Sequence, residues 1–176
     1  SLPSSIKVFH GHFYYNELVK YFRNVHKVPM ITWLRHPVER VISNYFYLAE
    51  VLKRELEEQK RGLNILSRMQ RSLEEFARAK SIRNIQSKFV GSSDIRKFLF
   101  VGIKEHYNED IKDLAKLLNW GDVSVHHHNK TEEKPKVDEE TRKLIEEMNE
   151  EDMQLYRLGL ELRDERRKML YGKEGS

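Results

Sequence analysis

The chain has 176 residues, of which 34% are charged and 39% are hydrophobic, and its formal net charge is +4. A single domain of this length can bury a sizeable core, and no apolar run approaches the roughly 20 residues that a membrane-spanning helix needs. The absence of cysteine excludes a disulfide framework and thiol catalysis. The positive charge suits an anionic ligand, but it does not choose among a nucleotide, a sulfated sugar and nucleic acid.

The first predicted element is a strand at residues 6–9, where polar and apolar side chains alternate before a tight turn at His10-Gly11-His12. The glycine lets the backbone come close to a ligand, and a neutral imidazole can accept a proton at neutral pH. His10 and His12 are therefore candidate general bases, with a slight preference for His10. The alternative is a histidine pair that only ends the strand.

Next come an amphipathic helix at residues 15–25 and a short apolar strand at residues 28–34. The strand ends at a charged pair, and Pro37 then suits the first turn of a helix because its missing N–H removes no helical bond. Strand, helix and strand in this order favour a right-handed crossover between parallel strands. The predicted fold class is therefore α/β, with a parallel sheet flanked by helices.

Arg35 is expected at the carboxyl end of that strand, facing the amino end of the next helix. Ligands of open α/β sheets bind in such a crevice, where free N–H groups and the helix dipole favour an anion. Ser43 can face the same crevice because helical side chains lean toward the amino terminus. A guanidinium fork and a hydroxyl together make a phosphate clamp. The alternative is an ordinary strand-to-helix turn with a surface arginine.

Residues 34–45 read Leu-Arg-His-Pro-Val-Glu-Arg-Val-Ile-Ser-Asn-Tyr. This run resembles the 3′-phosphate-binding motif of sulfotransferases that use 3′-phosphoadenosine 5′-phosphosulfate (PAPS). The resemblance implies a P-loop-kinase-like sulfotransferase fold in which Arg35 and Ser43 hold the 3′-phosphate of this sulfuryl donor. His36 stands where the family usually has aspartate, a departure that leaves the two phosphate ligands intact.

The histidine turn, followed by a helix and this motif, is similar to the uronyl 2-O-sulfotransferase branch, which modifies heparan or dermatan-type glycosaminoglycans. In that branch the histidines of the turn serve as catalytic base, so His10 and His12 inherit this role by resemblance. Residues 83–89 resemble a segment that the family has near its acceptor pocket. Arg83 and Gln86 are therefore candidate substrate contacts, with simple helix packing as the alternative.

Two further segments match the same family. Residues 98–103 predict a second buried strand, aromatic and β-branched, and resemble a family strand whose acidic position corresponds to Glu105. A polar loop at residues 126–136 resembles one that folds over the cofactor and the acceptor channel, which makes Lys130 and Thr131 candidate cofactor contacts. Its three adjacent histidines are not expected to hold a metal, because consecutive side chains rarely converge on one ion.

The chain is predicted to be a single, partial domain over residues 1–176. Residues 138–170 predict two helices that close it, split by a new cap near Asn149. No Lys-rich phosphate loop stands between a first strand and a first helix. The strand–loop–helix unit that grips the 5′-phosphosulfate is therefore expected to precede Ser1.

The function implied by the resemblance is metal-free transfer of a sulfuryl group from PAPS to a hydroxyl of a carbohydrate-type acceptor. The expected partners are the nucleotide donor and this acceptor, without nucleic acid. The alternative is a non-catalytic basic module that binds a sulfated glycan or nucleic acid. The lack of cysteine favours a cytoplasmic, bacterial-type location, with the Golgi lumen as the alternative if an N-terminal anchor was removed.

Overall fold

The computed structural model of the protein describes residues 10–58, 71–91, 93–121, 123 and 135–172, with the side chains of 55–58 left out. The described residues form two strands and seven α-helices. The strands are β1, Ile31–Leu34, and β2, Phe100–Ile103. The helices are α1, Tyr15–Tyr21; α2, Pro37–Glu58; α3, Leu73–Arg78; α4, Ile85–Val90; α5, Tyr107–Leu117; α6, Glu139–Met148; and α7, Glu150–Tyr171. Among them, no helix is both long enough and apolar enough to cross a bilayer.

The two strands pair in parallel, with Ile31 opposite Phe100 and Leu34 opposite Ile103. Their carboxyl ends therefore lie side by side at one edge of the sheet. All four residues of β2 are buried, whereas in β1 only Leu34 is. The parallel pair and its flanking helices confirm the predicted α/β class. The predicted strand at residues 6–9 lies outside the described residues.

Helix α2 begins at Pro37, as the sequence predicts, and its apolar side chains recur at helical spacing. Val38, Val41 and Ile42 are buried against Phe76 of α3 and Ile145 of α6. Complete burial of one such aliphatic side chain contributes about 1.5–3 kcal/mol of transfer free energy. The start of α2 is thus anchored on its inner face, which leaves the side chains on its other faces free for other contacts.

Helix α7 lies against the sheet, and a glycine sets how closely it approaches. A Cβ atom at Gly159 would lie 2.7 Å from Leu34 Cδ1 and 3.3 Å from Ile103 Cδ1. A larger residue would require either these side chains or α7 itself to shift. The same helix contributes Tyr156 to the core cluster that contains Leu34 and Ile103.

A buried charge cluster fixes the carboxyl end of β2. The Asp110 carboxylate, fully buried on α5, accepts the N–H of Ile103 at 2.7 Å. It also accepts Nε of Arg163 at 2.8 Å and a guanidinium N–H of Arg166 at 3.1 Å. Arg166 donates in addition to the carbonyl of Val101 at 2.7 Å. Burial of a carboxylate is costly unless the charge is paired and hydrogen-bonded. Because the partners of Asp110 come from β2 and α7, these contacts hold α5, α7 and β2 together.

The predicted division into two helices near Asn149 is confirmed, but the side chain of Asn149 does not cap the second helix. Asn149 stands at the junction of α6 and α7, but its side chain makes no capping bond to α7. Its Oδ1 accepts the N–H of Asn84 at 3.0 Å, and its Nδ2 donates to the carbonyl of Ile145 at 2.8 Å. A tertiary hydrogen bond therefore takes the oxygen that local capping would have used, and the junction is tied to the start of α4.

Candidate functional site

Two chain segments leave the sheet at the edge where both strands end. Arg35 and His36 follow β1, and Lys104 and Glu105 follow β2. The Glu105 carboxylate bridges the two segments by accepting the N–H of His36 at 2.9 Å. We call the surroundings of Arg35, His36 and Glu105 the strand-end crevice. Ser43 is half-buried on α2, and its approach to this crevice stays a prediction.

Both backbone polar groups of Arg35 form hydrogen bonds with one side chain, that of Gln86. Its N–H donates to Oε1 of Gln86 at 2.8 Å, and its carbonyl accepts Nε2 of Gln86 at 2.9 Å. The guanidinium of Arg35 makes no hydrogen bond or ion pair with any part of the chain that the structure describes. The backbone is therefore fixed while the charged end can still bind an external anion.

The two N–H groups that immediately precede α2 are both used within the protein. The N–H groups of Arg35 and His36 are both taken, by Gln86 and by Glu105. The carboxylate of Glu105 also complements the positive end of the helix dipole. The N–H groups that the sequence predicts to be free belong to the first turn of α2, at Val38 and Glu39, and anion binding there stays a prediction.

Glu105 is itself held by α7. The hydroxyl of Tyr156 donates to its second carboxylate oxygen at 3.3 Å. Burial, reinforced by the Glu105 charge, raises the pKa of Tyr156 to about 12, so this hydroxyl stays protonated at neutral pH. The His36 ring packs edge-on against the Tyr156 ring at a centroid distance of 5.2 Å. His36 therefore contributes packing at the position where the family usually has aspartate.

Two other residues of the motif bind the scaffold. Glu39 forms an ion pair with Arg142 of α6, and this hydrogen bond lowers the pKa of the Glu39 carboxyl. Arg40 donates to the carbonyl of Ile82 at 2.7 Å, and its Nε lies 3.9 Å from the buried carboxylate of Asp152. Burial lowers the pKa of Arg40. The motif thus contains two residues that hold α2 in place, in addition to the predicted phosphate ligands Arg35 and Ser43.

Asp152 is a site-supporting residue that the sequence reasoning missed. Its carboxylate is fully buried and accepts the N–H of Gln86 at 3.1 Å and the N–H of Ser87 at 2.7 Å. These groups are free donors at the start of α4, which a carboxylate satisfies well. A signal was present, because Asp152 shares one face of α7 with the buried Tyr156 and Gly159 at helical spacing.

Of the two candidate bases, the structure places His12 against α4. His10 and His12 are exposed in the segment before α1. The ring centroid of His12 lies 6.1 Å from that of Phe89, and Phe89 stacks on Tyr14 at 4.6 Å. Because Phe89 and Gln86 are three positions apart on α4, they lie on neighbouring parts of its surface. One short helix therefore contacts both the His12 ring and the Arg35 peptide.

Two of the remaining predicted site residues, Arg83 and Gln86, are described by the structure, and two, Lys130 and Thr131, are not. Arg83, just before α4, donates to the carbonyl of Arg78. Gln86 is buried and uses its amide on Arg35. Direct contact of either side chain with an acceptor stays a prediction. Lys130 and Thr131 lie outside the described residues. Within the described ranges, no three potential metal ligands come together.

Comparison with known proteins bears on the whole of this region. A protein-family model described as the sulfotransferase family matches residues 7–158. The match includes the histidine segment, both strands, the strand-end crevice and the first turns of α7. Comparisons with curated proteins and with solved structures gave no significant match.

Proposed function

The chain belongs to the sulfotransferase family, and from this premise we propose that it transfers a sulfuryl group from PAPS to a hydroxyl of a carbohydrate acceptor. The observation that carries the PAPS assignment is the state of Arg35. Its peptide is fixed by Gln86 at the edge where two parallel strands end, and its guanidinium has no partner among the described residues. A positioned, unpaired guanidinium at this edge is suited to a phosphate.

The 3′-phosphate of the donor would be held by the Arg35 guanidinium and the Ser43 hydroxyl. Charge-assisted hydrogen bonds of this kind are about twice as strong as neutral ones. Lys130 and Thr131 are proposed as further contacts to the donor. When bound, PAPS supplies the sulfuryl group together with a phosphate leaving group. The task of the protein is then positioning and charge stabilisation.

The acceptor hydroxyl must lose its proton, and His10 and His12 are the proposed bases. Both imidazoles are exposed to an incoming acceptor. The contact of His12 with Phe89 supports His12 in particular, because α4 links it to the Arg35 side of the site. General-base catalysis contributes about 10²–10⁴-fold to rate.

The acceptor is proposed to be a uronic acid-containing glycan, as in the 2-O branch. Support comes from the segment between α3 and α4 and from α4 itself. Residues 76–93 contain four cationic side chains and no carboxylate: Arg78, Lys80, Arg83 and Lys88. The ammonium group of Lys88 joins the two parts of this segment, because Nζ donates to the carbonyls of Lys80 at 2.7 Å and Arg83 at 2.6 Å. A local surplus of positive charge attracts a polyanion.

Calorimetry with two matched nucleotides tests the PAPS assignment. We expect 3′-phosphoadenosine 5′-phosphate to bind about 10- to 150-fold more tightly than adenosine 5′-phosphate, since hydrogen bonds to charged groups contribute about 1.5–3 kcal/mol. Arg35→Ala should abolish this preference. Arg54→Ala is the control, because Arg54 is exposed on α2, and its ion-pair partner among the residues whose side chains are described is Glu50. Equal affinities in the wild-type protein would contradict the assignment.

The net charge of +4 and the carboxylate-free segment also favour a second candidate, a non-catalytic module that binds a sulfated glycan. The two candidates differ in the nucleotide. A glycan-binding module retains a sulfated oligosaccharide without any preference for the 3′-phosphorylated nucleotide, and labelled PAPS transfers no sulfuryl group to a desulfated glycan in its presence.

A further inference from the structure

A series of buried polar contacts runs from α7 to the strand-end crevice. It begins at Asp152, which is fully buried and accepts two N–H groups at the start of α4. It continues through the side chain of Gln86 and ends at the peptide group of Arg35. The three residues are separated by 51 and 66 positions in the chain, so this arrangement exists only in the folded protein.

The amide of Gln86 is the part of this series with the strictest chemistry. The Arg35 peptide needs an acceptor for its N–H and a donor for its carbonyl, at 2.8 and 2.9 Å. The amide of glutamine offers both within one planar group, and it does so at any pH at which the protein is folded. Glutamate keeps the acceptor but loses the donor, and leucine or methionine loses both. The side-chain amide of Gln86 thus supplies to Arg35 the acceptor and the donor that a backbone partner in a β-sheet would supply.

We propose that Gln86 is a positioning residue for phosphate recognition, and this inference rests on the proposed function. By pairing with the peptide of Arg35, it fixes the direction in which the guanidinium leaves the backbone. Asp152 makes this possible because it anchors the backbone N–H of Gln86 itself. A guanidinium on a mobile backbone would lose conformational freedom when the 3′-phosphate binds, whereas one on a fixed backbone loses less.

The nucleotide pair used above tests this role. We expect Gln86→Leu to lower the preference for 3′-phosphoadenosine 5′-phosphate over adenosine 5′-phosphate about tenfold, the effect of losing one or two hydrogen bonds. The affinity for adenosine 5′-phosphate should stay within twofold of wild type, since that ligand has no 3′-phosphate. Gln86→Met, closer in shape to glutamine, replaces the leucine variant if the latter does not fold.

Ser87→Ala is the matched control. It changes the next residue of α4 but keeps the backbone N–H that Asp152 accepts. Its nucleotide preference should equal that of wild type. A role of Gln86 in stability alone would lower the melting temperature of Gln86→Leu and leave the preference of the folded protein unchanged, and that result overturns the proposal.

Hydrogen exchange of the Arg35 amide, measured without nucleotide, separates this inference from the proposed function. Protection of that amide in wild type and its loss in Gln86→Leu support the positioning of the Arg35 backbone by Gln86. Equal protection in both proteins overturns it. A wild-type protein that shows no preference for the 3′-phosphate overturns the proposed function instead, whatever the exchange result.

Discussion

The two ends of the candidate site are built in different ways. At the end proposed for the phosphate, Gln86 and Glu105 hold the backbone of Arg35 and His36, and Asp152 holds the start of α4, through hydrogen bonds of 2.7–3.1 Å. At the histidine end, no hydrogen bond of the His10 or His12 side chain occurs within the described residues, and the contact is between rings. The first end is directional and partly buried, while the second is exposed and tolerant of small movements.

This difference suits the two ligands of a sulfuryl transfer. A phosphate offers several charged oxygens in a fixed geometry, and binding it tightly requires donors that are already in place. An acceptor hydroxyl arrives on a larger molecule, so a base on an exposed segment can adjust to it. Substitutions at one end are therefore expected to leave the properties of the other end unchanged.

The largest effect is expected at the histidine end. His10→Ala or His12→Ala, whichever removes the base, should lower kcat by about 10²–10⁴-fold, and the other should lower it less than tenfold. Initial rates of transfer from labelled PAPS measure this, and nucleotide affinity should not change. His26→Ala is the control, because His26 is exposed and follows α1. Full activity in both variants would assign the base to another residue.

A smaller effect is expected from Phe89→Leu. This change removes the stack on Tyr14 and the ring contact with His12 while keeping an apolar side chain. An aromatic pair contributes about 0.5–1.5 kcal/mol beyond its buried area, so kcat should fall by up to about tenfold and the free energy of unfolding by about 1 kcal/mol.

The preference for the 3′-phosphate should stay at its wild-type value in Phe89→Leu, which is the reverse of the result expected for Gln86→Leu. Tyr21→Leu, an exposed aromatic on α1, is the control for general effects on that helix. If Phe89→Leu also reduced the 3′-phosphate preference, the two ends would not be independent.

The smallest effect is expected at Tyr156, behind Glu105. The pKa of Tyr156 is about 12 in the folded protein, above the ordinary value of 10.0. The folded state therefore holds this proton more tightly, and its contribution to stability is complete below pH 10 and is lost as the pH rises toward 12. Tyr156→Phe should cost about 0.5–1.5 kcal/mol at neutral pH through the lost hydrogen bond to Glu105.

Urea unfolding of wild type and Tyr156→Phe from pH 7 to pH 11.5 measures this effect. The difference in the free energy of unfolding should be constant to about pH 10 and should shrink above it. Tyr47→Phe, at an exposed tyrosine on α2, should show no such change. A difference that stayed constant through pH 11.5 would mean that burial and Glu105 do not hold the Tyr156 proton.

Part of the site follows from local sequence alone. The apolar run before Arg35, the proline that begins α2 and the spacing of Val38, Val41 and Ile42 are properties of neighbouring residues. They predict where β1 ends, where α2 begins and which face of α2 is buried, and the structure confirms all three. The positions of Arg35 and Ser43 relative to that helix follow from the same short segment.

The partners of Arg35 and His36 could not be obtained in this way. Gln86 and Glu105 meet these backbone groups across 51 and 69 residues, and Asp152 reaches α4 across 66. Periodicity reports which face of an element is buried, but it does not say which side chain of another element will be opposite. The sequence therefore does not show that the Gln86 amide meets the backbone of Arg35, or that the Asn149 oxygen meets the N–H of Asn84.

The sequence by itself determined where β1 ends and α2 begins. It also determined which residue types are suited to phosphate binding and to proton transfer, and the family pattern that they form. Only the tertiary structure decided which buried amide and carboxylates hold the Arg35 backbone, and that α4 connects the two ends of the site. The physical reason is the range of the interactions. Backbone propensity and side-chain spacing act within a few residues, whereas a buried hydrogen bond forms only where packing of distant elements brings donor and acceptor together.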